Sequence, residues 1–328
     1  KTAAGTAGFL AAMPCLNAAE VFTDTKPLKV GLVGCGGRGL GAMKNALDAD
    51  PGTMVWALAD VFQERIDFGA KLLVEQYGNR AQLDRSRLFS GLDSYKRLLQ
   101  TDIDVVLLCT PPAFRPEHLA AAIDASKHIY AEKPVAVDVP GVLSVLESAR
   151  LAKLKNLVIL DGFCWRYDKA NEEAHRKLSS GLLGRVLSFD GLYYTTPPKS
   201  PLALDSRPSS DTDVAWALRN WTAWNWLSGG QFVEQIVHTI DGMVWSMNEQ
   251  LPLAAFGSGG RAQRRDDGDV WDHYDVYFEY DHNVTAHISC RQWVGCHGEI
   301  VDRTICEKGM LVTPYRPYIQ ANNRWRFR

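Results

Sequence analysis

The chain has 328 residues, enough for about two domains. Hydrophobic residues make up 46% and charged residues 23%, a composition that excludes a disordered, collagen-like or coiled-coil chain. The formal net charge of −2 lacks the positive surplus that nucleic acid or anionic lipid requires, so we expect a small neutral ligand and no nucleic acid partner.

The first 26 residues differ in composition from the rest. No charged residue occurs from Thr2 to Ala19, and the run is too weakly apolar for a membrane span. It resembles the hydrophobic region of a bacterial export signal, with Lys1 before it and small residues near a cleavage point, although the paired arginines of a Tat signal are absent. We expect a remnant of Tat-type export and a periplasmic location, or else an alanine-rich arm of a cytoplasmic protein.

From Pro27 onwards, short apolar runs alternate with amphipathic stretches, which is typical of a parallel sheet covered by helices. The apolar runs predict strands at residues 28–34, 54–60, 103–110, 128–134 and 157–163, with helices between them. We therefore predict an α/β, doubly wound nucleotide-binding domain (a Rossmann domain) over residues 27–163.

Residues 164–328 show a different pattern. Long stretches rich in aromatic and β-branched residues predict strands, and an amphipathic helix is predicted over about residues 231–247. These features predict a second α+β domain with an open, mostly antiparallel sheet that packs on the first. Four tryptophans between Trp216 and Trp226 indicate a cleft wall or an oligomer contact.

A glycine-rich motif follows the first strand. Gly34, Gly36 and Gly39 have the G-x-G-x-x-G spacing, which lets the backbone approach a pyrophosphate at a helix N-terminus. Asp60 ends the second strand, where a carboxylate binds the ribose 2′-hydroxyl and repels a 2′-phosphate, so NAD is favoured over NADP. Gly37 and Arg38 complete this predicted cofactor-binding loop, and the Arg38 guanidinium could reach either phosphate.

A second motif, Glu132-Lys133-Pro134, follows the strand at residues 128–134. A lysine at the carboxyl end of such a strand, made less basic by burial, can bind a substrate hydroxyl and assist its deprotonation. Pro134 would fix the turn, which a cis peptide bond would allow. Taken alone, the triplet is also compatible with a solvated loop.

Glu234 and His238 form a third candidate. They are four residues apart and so would lie on one face of a helix. An imidazole titrates near neutrality and can take a proton from a hydroxyl, while a carboxylate can orient it. A histidine without a functional role is the alternative. No third ligand lies nearby and no C-x-x-C spacing occurs, so we predict no metal site.

The runs KVGLVGCGGRG, LLCTPP, KHIYAEKP and EQIVHTID, in this order, resemble the Gfo/Idh/MocA oxidoreductases over about Pro27 to Arg328. The resemblance implies a Rossmann domain that binds NAD(P), a mostly antiparallel second domain, and substrates that are sugars, inositols or their derivatives. Lys133 matches the lysine of the family's Glu-Lys-Pro motif, and His238 matches its catalytic histidine. Glu234 stands where the family usually has Asp.

The resemblance also implies further cofactor contacts. The loop after the fourth strand would lie near the nucleotide, and the segment that contains Trp165 and Arg166 would approach the nicotinamide end. The exported, sugar-acting subgroup looks similar to this chain. Its members usually continue beyond Arg328, so we expect either an unusually short protein or a second domain whose C-terminal part is missing from this chain. The cofactor residues predicted in this way are Thr110, Pro111, Pro112, Glu132, Trp165 and Arg166.

We therefore predict an enzyme that transfers hydride between a secondary hydroxyl of a sugar, glycoside or inositol-like substrate and a tightly bound NAD. His238 would be the general base, Lys133 would bind the hydroxyl, and Glu234 would orient His238 or the sugar. An NAD-dependent glycosidase that acts by transient oxidation and elimination is one alternative, and a non-catalytic sugar sensor is another.

Three aromatic residues are candidates for stacking on sugar rings, although core packing would explain each equally well. They are Tyr194, Trp221 and Trp224. We also expect a homodimer or homotetramer formed through the C-terminal sheet.

Overall fold

The structure is a computed structural model that describes residues 26–198, 202–321 and 325–326. Nearly all of the predicted export segment, residues 1–26, lies outside the described residues.

The N-terminal part is a six-stranded parallel sheet with the strand order β3-β2-β1-β4-β5-β6. The chain order reverses between β1 and β4, which is where ligands bind in sheets of this kind. The strands are β1 (Leu28–Val33), β2 (Thr53–Asp60), β3 (Leu88–Ser90), β4 (Val105–Leu108), β5 (His128–Ala131) and β6 (Ile159–Asp161).

Five helices connect these strands and cover both faces of the sheet. The helices are α1 (Gly37–Ala49), α2 (Gln63–Tyr77), α3 (Ser94–Leu99), α4 (Arg115–Asp124) and α5 (Val139–Leu154). A separate apolar cluster fills each face, one around Leu108 and Ile123 and the other around Leu32 and Leu58. Because these strands are buried on both faces, their sequences are nearly continuous apolar runs.

The C-terminal part is an eight-stranded sheet with the order β14-β13-β12-β11-β7-β10-β9-β8. Among the described strands of this sheet, only β7 and β10 pair in parallel, so the sheet is mostly antiparallel, as predicted. The strands are β7 (Val186–Thr195), β8 (Ala254–Gly260), β9 (His273–Glu279), β10 (Thr285–Gln292), β11 (Glu299–Cys306), β12 (Gly309–Thr313), β13 (Tyr318–Gln320) and β14 (Trp325–Arg326).

The helices of this part are α6 (Lys169–Ser179), α7 (Asp213–Arg219), α8 (Asn225–Ser228) and α9 (Val237–Ser246). Helix α9 packs on one face of the sheet, where Phe189, Tyr193 and Ile288 form a core with Met243 of the helix. The helix predicted over about residues 231–247 is present without a break over residues 230–246, but it contains a π turn at Phe232–Ile236 just before α9. No helix in the described part of the chain is both long and apolar enough to cross a membrane.

Candidate active site

The glycine-rich loop joins β1 to α1 through close backbone contacts. Gly34 has a φ of +97°, which L side chains rarely adopt, and a Cβ on Gly39 would lie 1.8 Å from the carbonyl oxygen of Gly34. A Cβ on Gly36 or Gly37 would meet nothing within 4 Å. Because α1 begins at Gly37 without a side-chain cap or an acidic residue in its first turn, its N–H groups can receive an anion such as a pyrophosphate.

Asp60 holds this loop in place from the end of β2. Its Oδ2 accepts a hydrogen bond from the backbone N–H of Cys35 at 2.8 Å, and its Oδ1 accepts one from Phe62 at 2.9 Å. Each carboxylate oxygen has two lone pairs, so the group can still accept a ribose hydroxyl. Asp60 lines a cavity of about 180 Å³ together with Gly34, Gly36, Gly37, Arg38, Gly39, Thr110 and Pro111. This cradle fits a dinucleotide.

Arg38 turns from the loop towards β5. Its Nε donates to Glu132 Oε1 at 2.5 Å and its Nη2 donates to the Tyr130 hydroxyl at 3.0 Å. Burial lowers the pKa of Arg38, but the hydrogen bonds to Glu132 and Tyr130 outweigh it and raise the pKa above its ordinary value. Glu132, predicted to contact the cofactor, is thus buried and paired with Arg38.

Arg115 is a residue that the sequence analysis did not select. Its side chain is 1% exposed, and its guanidinium donates to the backbone carbonyls of Thr110 and Pro134. It therefore ties the loop after β4, where Pro112 is buried and Thr110 and Pro111 line the cavity, to the loop after β5. The Lys133–Pro134 peptide bond is cis, in line with the expected turn. No spacing motif marks Arg115, because its role depends on tertiary burial.

The three predicted catalytic residues come from both domains. The loop after β5 supplies Lys133, and the π turn and α9 supply Glu234 and His238. Lys133 Nζ donates to the backbone carbonyl of Glu234 at 2.5 Å and to its Oε1 at 3.1 Å. Burial, and next the charge of Lys133, lower the pKa of His238 to about 3, so the imidazole is neutral at physiological pH. The His238 ring packs against Trp165, with 4.8 Å between ring centroids.

The π turn explains why Glu234 pairs with Lys133. In a π turn the backbone hydrogen bonds join residues five apart instead of four apart. Side chains four residues apart therefore no longer lie directly above one another, as they do on an α-helix. No hydrogen bond joins Glu234 to His238 in the described part of the chain. The predicted role of Glu234 in orienting His238 therefore stays a prediction, and the observed contact anchors Lys133 instead.

Two other predicted residues lie away from this centre. Arg166 forms ion pairs with Asp241 at 2.9 Å and Glu249 at 2.6 Å, so its guanidinium is directed to α9 and the residues after it, although its neighbour Trp165 reaches His238. Tyr194 lies on the opposite face of the sheet from Tyr193, because side chains alternate along a strand, and it donates to Ser289.

The two predicted tryptophans lie in different places. Trp221 lines the cavity of the glycine-rich loop, whereas Trp224 lines a separate cavity beside Trp216 and Trp226. Over the described ranges, no group of three or more His, Cys, Asp or Glu side chains could hold a metal ion.

A doubly wound sheet with this loop, joined to a second domain whose helix α9 supplies a histidine, defines a dinucleotide-binding protein of two domains. Residues 28–159 match the oxidoreductase family with an NAD-binding Rossmann fold, and residues 171–312 match the GFO/IDH/MocA C-terminal domain. The chain therefore belongs to the Gfo/Idh/MocA oxidoreductase family, as the sequence motifs predicted.

Known relatives include enzymes that act on sugars and inositol. A dTDP-3,4-didehydro-2,6-dideoxy-alpha-D-glucose 3-reductase of Actinomadura kijaniata is 28% identical over 177 residues, which are 54% of this chain and 48% of that protein. Inositol 2-dehydrogenase of Salmonella typhimurium is 25% identical over 227 residues, which are 68% of this chain and 55% of that protein. The matched stretch thus spans about half the length of these curated relatives.

Among solved structures, the aldose-aldose oxidoreductase from Caulobacter crescentus, complexed with glycerol, superposes with a TM-score of 0.71 and 18% identity. The superposition covers 92% of this chain and 83% of that one. At this level of identity the likeness shows a shared fold.

Proposed function

We propose that this protein transfers hydride between a secondary hydroxyl of a sugar, glycoside or inositol-like substrate and a tightly held nicotinamide cofactor. The observation that carries the proposal is that Lys133 contacts Glu234 and that its charge acts on the buried, neutral imidazole of His238. Lys133 follows Glu132, which binds Arg38 of the cofactor cradle. A general base must be unprotonated to accept the hydroxyl proton, and the negative charge that develops on the substrate oxygen raises the pKa of the neighbouring imidazole, so that His238 can take this proton.

Each residue has a distinct part in this reaction. Lys133 donates a hydrogen bond to the substrate oxygen, and Glu234 fixes the lysine through two contacts. As the C–H bond breaks and the carbonyl forms, the hydroxyl proton passes to the imidazole of His238. A nicotinamide cofactor held by the cradle would supply the hydride acceptor. Holding the reacting groups together supplies much of the rate.

We propose NAD rather than NADP as the cofactor. The carboxylate of Asp60 at the end of β2 favours a ribose hydroxyl over a phosphate, and two of the three guanidinium nitrogens of Arg38 already contact Tyr130 of β5 and Glu132 just after it.

We further propose the boundary between the two domains near Phe163, export of the folded protein to the periplasm, and a homodimer or homotetramer. The face of the eight-stranded sheet opposite α9 supports the assembly, because Phe256 and Tyr277 stack there while 63% and 44% exposed. Export would require that the cofactor stay bound.

The test begins with denaturing the purified protein and identifying the released nucleotide. A panel of sugars and inositols is then assayed by NADH absorbance. Replacing Lys133 with Met or His238 with Gln should lower kcat about 10²–10⁴-fold while NAD binding is retained. Lys153→Met, at an exposed site on α5, is the matched control.

Three outcomes would contradict or redirect the proposal. Unchanged turnover in both variants would contradict the assigned roles. Release of nitrophenol from nitrophenyl glycosides without net NADH would favour the glycosidase, and NAD binding without any turnover would favour the sugar sensor.

A further inference from the structure

A small recess lies beside Glu234. Gln231 lines it and is 1% exposed, yet neither its amide nitrogen nor its amide oxygen has a partner in the described part of the chain. Buried polar groups without partners are rare, because each loses the hydrogen bonds that it makes with water in the unfolded chain. The recess has a volume of about 10 Å³, room for one water-sized group. It therefore suits a single hydroxyl of a bound substrate.

Arg264 separates this recess from a larger cavity of about 420 Å³. Its side chain is 5% exposed, and its Nε donates to Asp266 at 2.8 Å. Its Nη2 is buried and has no acceptor among the residues that the structure describes. A guanidinium nitrogen in this position can donate to an oxygen of a ligand that reaches from the recess into the cavity.

A third cavity, which we call the tryptophan cavity, adjoins the second and shares Leu204 and Asp267 with it. Its volume is about 400 Å³, and its walls include Trp216, Trp224 and Trp226. The indole N–H groups of Trp216 and Trp224 are buried without an acceptor, again counting described residues only. The cavity thus has broad apolar walls, and the two indole N–H groups lie beneath the wall surface.

The charged side chains that line these cavities nearly balance. There are three arginines, Arg207, Arg264 and Arg265, and four carboxylates, Asp213, Glu234, Asp266 and Asp267. Such a balance gives no net attraction for a nucleoside diphosphate or another anion. A neutral ring with an apolar face and a hydroxylated edge fits better, since its face can stack on indole and its hydroxyls need no charged partner.

We propose that the tryptophan cavity binds a second sugar ring, so that the preferred substrate is a disaccharide or other glycoside. This inference rests on the proposed function. The reacting ring lies at Lys133 and His238, one of its hydroxyls enters the recess at Gln231, and Arg264 binds an oxygen between the two rings.

The test compares disaccharides (lactose, cellobiose, maltose and trehalose) with the methyl glycosides of their monosaccharides. Trp226→Ala removes a cavity wall that is 49% exposed, and Trp271→Ala, 45% exposed and outside the cavity walls, is the matched control. We expect Trp226→Ala to lower the ratio of kcat/KM for the best disaccharide to that for its methyl glycoside about tenfold, a loss of about 1.4 kcal/mol. Trp271→Ala should leave this ratio unchanged. Equal kcat/KM for both substrate types in the natural protein, or an unchanged ratio in Trp226→Ala, would overturn the proposal.

Calorimetric titration of the same disaccharides into the NAD-loaded protein separates the two proposals. If no sugar is oxidised but disaccharide binding is lost in Trp226→Ala, the cavity assignment stands and the oxidoreductase proposal fails. If methyl glycosides are oxidised and no disaccharide binds more tightly than they do, the oxidoreductase proposal stands and the cavity assignment fails.

Discussion

The two halves of the chain build their parts of the site from different groups. Before residue 164 the cofactor cradle is formed by backbone, with Gly39 lying against Gly34 and two backbone N–H groups bound by Asp60. After residue 164 the site is formed by side chains. Of the twelve buried side-chain polar atoms without a partner in the described residues, ten belong to this second half.

The two halves therefore place different requirements on their residues. A backbone cradle has its shape before any ligand binds, and a single added Cβ can destroy it. Side-chain donors and acceptors that lack partners instead leave free energy available for a ligand that supplies them. The first half should therefore be sensitive to the size of a residue, and the second half to its hydrogen-bonding capacity.

The largest expected effect tests the cradle. Gly39→Ala places a methyl group against the Gly34 carbonyl, which the backbone cannot avoid, so we expect a loss of about 3–5 kcal/mol in the free energy of unfolding and of NAD binding. Gly41→Ala makes the same change on the same helix, but its nearest atom would be Arg38 Nη1 at 3.9 Å. It should stabilise the protein by about 0.5–1 kcal/mol.

Urea unfolding and NAD titration measure both effects. Similar behaviour of the two variants would show that backbone contact does not define the cradle.

The next effect tests the second half through Asp272, which is fully buried. Its carboxylate accepts hydrogen bonds from the N–H groups of Ala262, Gln263 and Arg264, and from the side chains of His273 and Trp293. Asp272→Asn keeps the shape but removes the charge, and should cost about 2–4 kcal/mol. Asp281→Asn, at an exposed site, is the control.

The cost should depend on pH. Burial raises the pKa of Asp272, but the hydrogen bonds from His273 and the loop outweigh it and hold the pKa well below the ordinary value. Its contribution to stability is therefore complete above a pH of about 4 and is lost as the pH falls further. Denaturation at neutral and acidic pH should show the natural protein and Asp272→Asn converging. A constant difference would contradict this assignment.

Much of the fold could be predicted because the strands of the first sheet are buried on both faces and read as apolar runs. Strand β3 is three residues long, and β8 is largely exposed and rich in glycine, so neither carries that signal. The π turn before α9 could not be predicted, since it reflects a shift of one hydrogen bond and not a change in residue pattern.

The predictability of the site follows the same division. Gly34, Gly39 and Asp60 stand at fixed spacings because backbone geometry demands them, so the sequence alone indicates the cradle. Arg264 and Gln231 owe their importance to burial without a partner, a property that exists only after folding. No spacing rule marks them.

The smallest effect compares one buried histidine from each half. Burial, followed by the charges of Arg115 and Arg166 respectively, lowers the pKa of His118 and of His175 to about 3. An unfolded histidine has a pKa of about 6.5, so below that pH the unfolded state binds a proton that the buried imidazole does not bind, and the fold loses stability as the pH falls. Each should contribute a slope of up to about 1.4 kcal/mol per pH unit to the free energy of unfolding.

Replacing either histidine with Phe should reduce this slope. At neutral pH, however, the two variants should differ in their free energy of unfolding. His118 lies 3.2 Å from the hydroxyl of Thr110, so His118→Phe should cost about 1 kcal/mol. His175 stacks on Trp245 and its buried Nδ1 has no partner in the described residues, so His175→Phe should be neutral or stabilising. Urea titrations between about pH 5 and 7, where the unfolded imidazole titrates, measure both quantities. An equal loss of unfolding free energy in the two variants would contradict this difference, because it would mean that His175 stabilises the second half as much as His118 stabilises the first.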